Sequence, residues 1–436
     1  MDTLDVYMNG IKTGEYTRAH SGASTFIYDK AWLESPGRRS LSLSLPLRTA
    51  PYKGLKVYNY FDNLIPDSRE IRERIVAHFH ADSTDPFDIL SHIGRDCVGA
   101  VQLVPHGSLA PNVHTIDATP LSEDDIAKIL TGYKSNTPLG MLDAEADFRI
   151  SLAGAQEKTA LLFHNGQWCL PHGATPTTHI LKLPIGEIRS HDRVIDMTHS
   201  VENEYLCLKI AKAYGFDTAD CDIITPDGVK ALSVERFDRK FAADRTWIMR
   251  LPQEDFCQVT GASPARKYEV EGGPAVSRIM KELVGAQRPI QDREIFMRTQ
   301  VLFWILGATD GHAKNFSIFI DKGDQYRLTP LYDILSAFPT VNKKSLHEKD
   351  LKLAMSLKGS RGRKYECRII SRRHFLATAN EVGFSGEAMN KILDDMAART
   401  EQVIEDVATK LPHSFPTFIS EPIFEGMRKY SQRLVT

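Results

Sequence analysis

The stretch Gly307-Ala308-Thr309-Asp310-Gly311-His312-Ala313-Lys314-Asn315-Phe316, followed by Thr329-Pro330-Leu331-Tyr332-Asp333, decides how this chain is read. Asp310 and Asn315 stand in the Asp-x4-Asn spacing of a phosphoryl-transfer catalytic loop, and Asp333 follows where a second metal-binding carboxylate is needed. Between them, Phe316 to Ile320 predicts a strand, Asp321-Lys322-Gly323-Asp324 a turn, and Gln325 to Leu328 the returning strand. A hairpin centred near Gly323 puts Asn315 roughly opposite Leu331, so Asn315 and Asp333 are expected at one end of the ladder. Upstream, Glu294 to Leu306 is apolar nearly all round, as in a buried helix that delivers the loop at its Gly307 stop.

Each residue type suits a separate task. Asp310 would accept or orient the proton of an attacking hydroxyl, while Asn315 and Asp333 offer the hard oxygen ligands that Mg²⁺ prefers beside ATP phosphates. His312 and Lys314 would sit against phosphate oxygens. The bland alternative makes Asp310-Gly311 an ordinary turn and Asn315 a strand cap; the flanking buried helix, the hairpin and the trailing Asp333 outweigh it. Asn315-Phe316-Ser317 also matches the glycosylation triplet, which reads as accidental in a chain without a secretory signal.

The 436 residues are 42% hydrophobic and 25% charged, an ordinary globular composition long enough for two or three domains. A net charge of −2 argues against a protein that coats nucleic acid unaided. Cys97, Cys169, Cys207, Cys221, Cys257 and Cys367 lie far apart with no Cys-x-x-Cys pair, so neither a zinc ribbon nor a disulfide framework is suggested. The beginning Met1-Asp2-Thr3-Leu4-Asp5 lacks a basic and apolar leader, and no stretch of about 18 apolar residues occurs. A cytoplasmic protein without membrane attachment is expected.

Residues 1–140 read as a β-rich subdomain: Leu4 to Met8, a turn at Asn9-Gly10, Lys12 to Tyr16, then strands at Thr25 to Tyr28 and Leu41 to Leu45. Ser68 caps a helix over Arg69 to His78. Residues 141–240 carry strands at Arg149 to Leu152, Thr159 to Phe163, Gln167 to Leu170, Thr178 to Leu183 and Ala231 to Phe237, with a helix over Val201 to Ala213. Residues 241–436 are mainly helical around the catalytic hairpin. The expected class is α+β, in two lobes with the first subdomain added.

Four further segments bear on chemistry. Ser151-Leu152-Ala153-Gly154-Ala155-Gln156-Glu157-Lys158-Thr159 puts small residues between two strands, either a phosphate-approaching loop or a plain hairpin turn; it is not a Walker A loop, because Leu152 and Glu157 stand where glycines are required. Lys182, in His179-Ile180-Leu181-Lys182-Leu183-Pro184, either neutralises ATP phosphates from a half-buried strand or guards a sheet edge. Glu202 or Glu204 would partner it. Glu235-Arg236-Phe237-Asp238-Arg239 follows an apolar strand where a small lobe would cross to a large one, and is either an adenine hinge or a solvated strand end. Lys358 to Arg373, with seven cations against Glu366, reads as a solvated basic loop or a DNA contact.

Taken together, Leu43-Ser44-Leu45-Pro46-Leu47, Phe61-Asp62-Asn63-Leu64, Gly94-Arg95-Asp96, Asp147 to Leu161, Glu235 to Asp238, Ala308 to Ser317 and Pro330 to Asp333 resemble the HipA family of serine/threonine kinase toxins, in order and over nearly the full length. The resemblance implies a bilobed, phosphoinositide-kinase-like protein kinase. In it Asp310 is the catalytic base, Asn315 and Asp333 hold Mg²⁺, and Ser151 is autophosphorylated, which silences the enzyme. It implies ATP contacts from Ala153, Gly154, Ala155, Gln156, Glu157, Lys158, Lys182, Glu235, Arg236, Phe237, Asp238, His312, Ala313, Lys314, Asn315 and Tyr332. By the same resemblance the protein substrate is glutamyl-tRNA synthetase, the outcome growth arrest and persistence, and the partner a HipB-type helix-turn-helix antitoxin that holds the toxin on operator DNA as corepressor. Ordinary protein-kinase signatures depart: there is no Gly-x-Gly-x-x-Gly, and Ala308-Thr309-Asp310 and Tyr332-Asp333-Ile334 replace His-Arg-Asp and Asp-Phe-Gly. Two rivals stay open, a pseudokinase corepressor without protein substrate and a hydrolase using Asp310, His312 and Asp333.

Overall fold

A computed structural model describes residues 2–132, 158–190, 193–342 and 345–435. The expected strand at Arg149 to Leu152 and the Ser151 to Glu157 loop lie outside the described residues. The chain forms two compact units. One gathers Met1–Leu183, Ile224–Arg266 and Ser317–Tyr326, the other Pro184–Ile223, Lys267–Phe316 and Arg327–Thr436.

In the first unit an antiparallel sheet runs in the order Tyr52–Lys53, Ser24–Tyr28, Ile11–Arg18, Asp2–Met8, Val101–Pro105. Its first hairpin turns at Asn9 and Gly10, with φ of 47° and 78°, the left-handed pair that matches the twist of two flanking strands. Inward residues meet helices Leu55–Asp62 and Pro86–Ile93, and Tyr16 stacks on Phe61 with ring centroids 3.8 Å apart. Ser68 caps helix Arg69–Phe79 as expected, its Oγ accepting from Ile71 N–H at 3.4 Å.

Leu41 to Leu45 is not a strand. Ser42 Oγ accepts from Ser44 N–H at 3.0 Å, and this local bond closes a turn that leaves a single bridge between Ser42 and Leu45. The turn instead docks the subdomain: Leu43 N–H donates to Glu254 Oε1 at 2.8 Å and the Ser44 hydroxyl to Gln258 O at 2.8 Å. Asn63 Nδ2 donates to Ala262 O at 2.9 Å. Gly99, with φ 76°, lies so close to Gln253 that a Cβ there would stand 2.6 Å from its carbonyl oxygen.

Asp96 completes the docking as a buried clasp. It accepts from Arg239 Nη2 at 3.0 Å, Arg250 Nε at 3.2 Å, Arg236 Nη1 at 3.3 Å and the Thr177 hydroxyl at 2.8 Å. Asp238 takes a forked pair from Arg236 at 3.0 and 2.9 Å. Burial alone would raise the Asp96 pKa, but Arg239, Arg236 and Arg250 hold it well below the carboxylate range. Burial brings Arg250 down to about 10 against the pull of Asp96.

A second sheet in this unit has the order Ala231–Glu235, His179–Lys182, Lys158–His164, Gln167–Pro171, Ala118–Pro120. A further strand, Gln253–Asp255, pairs with Ser317–Ile320, placing Glu254 opposite Ile318.

The second unit is mainly helical. Helix Pro289–Leu306 starts with Pro289 in its first turn and ends at Gly307, which takes φ 59°. It packs with Ser200–Ala213, Arg372–Glu381, Gly386–Ala408 and Thr417–Val435 around the fully buried Trp304, whose ring lies 4.9 Å from Tyr430 and 5.6 Å from Phe375. No described helix is long and apolar enough to cross a membrane.

Candidate active site

The expected hairpin forms: strands Ser317–Ile320 and Tyr326–Leu328 flank a 3-10 turn at Lys322–Asp324. Before it, the second unit holds the loop that carries Asp310. Gly307 lets the chain leave the helix left-handed, and a Cβ there would stand 2.8 Å from the Phe338 ring. A Cβ on Gly311 would stand 2.3 Å from the Phe303 ring, so the loop lies flat on the helix. His312 N–H donates to Asp310 O at 2.7 Å and Asn315 N–H to His312 O at 3.0 Å, which winds Ala313–Asn315 into a single 3-10 turn.

That turn faces Asp333. The Asn315 side-chain amide donates to Asp333 Oδ2 at 3.0 Å, the juxtaposition expected from the spacing. Asp333 itself has φ 58°, a left-handed conformation that aspartate tolerates at some cost. It is held there from both sides. Leu331 N–H donates to Asp217 O and Leu331 O accepts from Ala219 N–H, each at 2.8 Å, while Ser336 and Asn203 exchange two bonds at 2.9 and 2.8 Å. Tyr332 donates its hydroxyl to Lys314 O at 2.7 Å, tying the two segments together.

The residues fit a divalent cation. Asn315 is 2% exposed, and its Oδ1 has no hydrogen-bond partner among the described residues. Leaving a buried carbonyl oxygen so costs about 1–3 kcal/mol, and a hard cation shared with the Asp333 carboxylate would recover it. His312 and Lys314 are buried beside them, at 5% and 7% exposure.

Asp310 is exposed, and the Tyr268 hydroxyl donates to its Oδ1 at 2.5 Å. The Tyr268 ring stands edge-on to His312 with centroids 4.9 Å apart. Sequence reasoning missed Tyr268, which lies in an irregular segment with no periodic signal. It missed Asn203 as well, one of several polar residues buried on its helix beside Ser200, Glu202 and Glu204.

In the first unit Lys182 is 7% exposed, with Leu232 paired to it on one side and Lys158 on the other. A strand bonded on both sides has no edge to guard, so the edge-strand reading of Lys182 falls. Lys158 and Lys182 thus stand directly opposite each other in this sheet. Glu202 and Glu204 are buried on their helix in the second unit.

At the expected hinge, Arg236 and Asp238 spend their side chains in the buried clasp, and Arg236 N–H donates to Thr178 O at 2.8 Å. Ala153, Gly154, Ala155, Gln156, Glu157 and the expected modification site Ser151 lie outside the described residues.

The basic run is only partly a loop. Arg363–Glu366 is a strand paired with Lys352–Lys358, Arg363 forks onto Glu381 at 2.6 and 3.0 Å, and Arg372 opens a helix, bound to Asp394 at 2.6 Å. Arg361 and Arg373 stay exposed.

The chain matches the HipA N-terminal domain over residues 4–104 and the HipA-like C-terminal domain over residues 150–404. It is 33% identical over 349 residues to Y4mE of Sinorhizobium fredii, a protein carried under a kinase name, covering 78% of this chain and 79% of that one. The serine/threonine-protein kinase toxin HipA of Shewanella oneidensis is 26% identical over 352 residues, 77% of this chain and 75% of the toxin. Among solved structures, the complex of Shewanella oneidensis HipA with HipB and its operator DNA superposes with a TM-score of 0.80 at 22% identity, covering 99% of this chain and 97% of that one. The α+β kinase-like fold expected from the residues is therefore the fold of the chain, and the chain belongs to the HipA family.

Proposed function

We propose that this protein is an ATP- and Mg²⁺-dependent serine/threonine protein kinase of the HipA toxin type. The observation that carries the reading is the Asn315 to Asp333 contact, with a buried Asn315 Oδ1 that has no hydrogen-bond partner among the described residues and Asp333 held left-handed at φ 58°. The bonds on either side hold Asp333 in that conformation, where its carboxylate stands beside Asn315. Mg²⁺ bound by Asn315 and Asp333 would supply charge neutralisation at the phosphate oxygens. Asp310 takes the proton of the acceptor hydroxyl, oriented by Tyr268, and Lys158 and Lys182 draw the polyphosphate to the sheet.

Family membership supports the finer assignments. Ser151 is the self-modified residue, the acceptor is a serine of glutamyl-tRNA synthetase, and the protein works in the cytoplasm as a growth-arresting toxin. A HipB-type antitoxin binds it and carries it to operator DNA; the solved relative was captured with both. Incubation with Mg-ATP followed by intact mass measurement tests the core of the proposal. One added phosphate on the wild type and none on Asp310→Gln is expected. No phosphate on the wild type, or equal phosphate on both, overturns it in favour of a pseudokinase.

A further inference from the structure

An irregular segment of the second unit, Lys267 to Gly273, bears on the catalytic loop. Lys267 O accepts from Ala313 N–H at 3.2 Å, the Tyr268 hydroxyl donates to Asp310 Oδ1 at 2.5 Å, and the Tyr268 ring stands edge-on to His312. Directly after these two residues the chain turns back on itself. Tyr268 O accepts from Glu271 N–H at 3.1 Å and from Gly273 N–H at 2.9 Å, and Gly272 between them takes φ 88°. Val270 and Glu271 are exposed on this turn.

Those local bonds fix the shape of the turn, and Glu269 ties it to a strand. Glu269 Oε2 accepts from Ser356 N–H and Oε1 from the Ser356 hydroxyl, each at 2.6 Å, two short charge-assisted bonds to one residue that is 1% exposed. Ser356 lies in strand Lys352–Lys358, whose pairing with Arg363–Glu366 shifts register between Lys352 and Leu357. Such a shift disrupts the ladder locally and turns its groups toward other partners. The strand is itself held, since Lys358 N–H donates to the Thr378 hydroxyl at 2.8 Å in helix Arg372–Glu381. Tyr365, on the neighbouring strand, also feels the carboxylate: burial and the Glu269 charge push its hydroxyl pKa up.

We propose that Glu269 is a positioning residue for phosphate transfer: anchored on Ser356, it holds the Tyr268 hydroxyl on Asp310, so that the base meets an acceptor hydroxyl in one orientation. The proposal rests on the kinase reading above and adds to it a residue that acts through Tyr268. A misplacement of about 1 Å in a reacting group costs on the order of a hundredfold in rate, and a turn without a ladder of its own gains its precision from such an anchor.

Self-labelling of the full-length protein is timed by intact mass over a range of Mg-ATP concentrations. Glu269→Ala is expected to lower the maximal rate roughly tenfold and to leave the half-saturating ATP concentration unchanged. In Glu269→Gln the new carbonyl can accept from Ser356 N–H while the amide donates to the hydroxyl, so the rate should return to within about threefold of wild type. Tyr268→Phe combined with Glu269→Ala should be no slower than Tyr268→Phe alone, because both changes remove one contact; a general loss of stability would not vanish in that background. Ser356→Ala, which removes one of the two bonds, should show a smaller loss that also disappears with Tyr268→Phe, and it carries the test if Glu269→Ala fails to fold. Losses that multiply in the double variants, a wild-type rate in Glu269→Ala, or a Gln variant as slow as the Ala one overturns the positioning role and leaves the kinase reading standing. No phosphate on the wild type removes both.

Discussion

Replacing Asp96 by asparagine keeps the shape of the side chain and removes one of two carboxylates that face three guanidiniums. The cluster then goes from a net charge of +1 to +2 in a site where Arg250 and Arg236 are 1% and 4% exposed. An asparagine offers one carbonyl oxygen where Asp96 offers two, and its amide nitrogen would point a donor at the donors of Arg239 or Thr177. Breaking a buried ion pair by removing one partner costs about 3–5 kcal/mol, and that range is expected for Asp96→Asn. Urea unfolding followed by tryptophan fluorescence measures it, since Trp32, Trp168 and Trp247 all lie in the same unit. The exposed Asp244→Asn serves as control and should change nothing measurable. A loss below about 1 kcal/mol for Asp96→Asn would refute the clasp as an energetic tie.

The same cluster fixes the direction of acid sensitivity. Asp96 and Asp238 both have folded pKa values below the ordinary range, so their contribution is complete above the unfolded value near 4 and is lost as pH falls. Each contributes a slope of about 1.4 kcal/mol per pH unit where the unfolded chain is protonated and the folded one is not. Stability of the wild type should therefore fall more steeply than that of Asp96→Asn from about pH 4 downward.

Other perturbations separate the loop from its supports. Asp333→Asn keeps a side chain that tolerates φ 58° and should unfold within about 1 kcal/mol of wild type while phosphate transfer falls roughly a hundredfold; transfer within tenfold of wild type would count against the metal role. Gly311→Ala drives a methyl to 2.3 Å from Phe303 and should cost about 1–3 kcal/mol along with activity, whereas Gly386→Ala, with nothing near its Cβ, should be neutral. Tyr268→Phe deletes the donor to Asp310 and should slow turnover by roughly tenfold or more; an unchanged kcat would leave the contact without a catalytic purpose.

The catalytic hairpin was legible because its information is local. Spacing, the Gly323 turn and the Gly307 stop all act within a few residues, and together they place Asn315 against Asp333. Leu41 to Leu45 shows how local pattern misleads: its Leu-Ser-Leu-Ser-Leu alternation has the period of a strand, yet the Ser42 hydroxyl bonds nearby backbone and turns the chain, while the Ser44 hydroxyl bonds the distant Gln258 carbonyl. In the run Lys358 to Arg373 the pairing of charge was not legible, since Arg363, Arg368 and Arg372 find acids that lie two to twenty-two positions away in sequence. Tyr268 and Asp96 act through partners 42 and more than 80 residues away, a separation that no window of sequence reports.

Those distant partners also give the first hundred residues a mechanical purpose. The stretches Leu43 to Leu47, Phe61 to Leu64 and Gly94 to Asp96, which carried the family resemblance there, bond to residues between Arg236 and Ala262. Within that span Gln253–Asp255 is the strand paired with Ser317–Ile320, so Glu254 accepts from Leu43 N–H while its own backbone faces Ile318. Ser317 is two residues from Asn315 in the chain. The N-terminal residues therefore brace strand Gln253–Asp255, against which Ser317–Ile320 is paired. Glu254 is 0% exposed, and Glu254→Ala, which strands the Leu43 N–H, should cost about 1–3 kcal/mol and also lower phosphate transfer from a position outside the loop. If transfer holds at wild-type rate once the stability loss is confirmed, the brace supports the fold alone and the hairpin is positioned by its own turn.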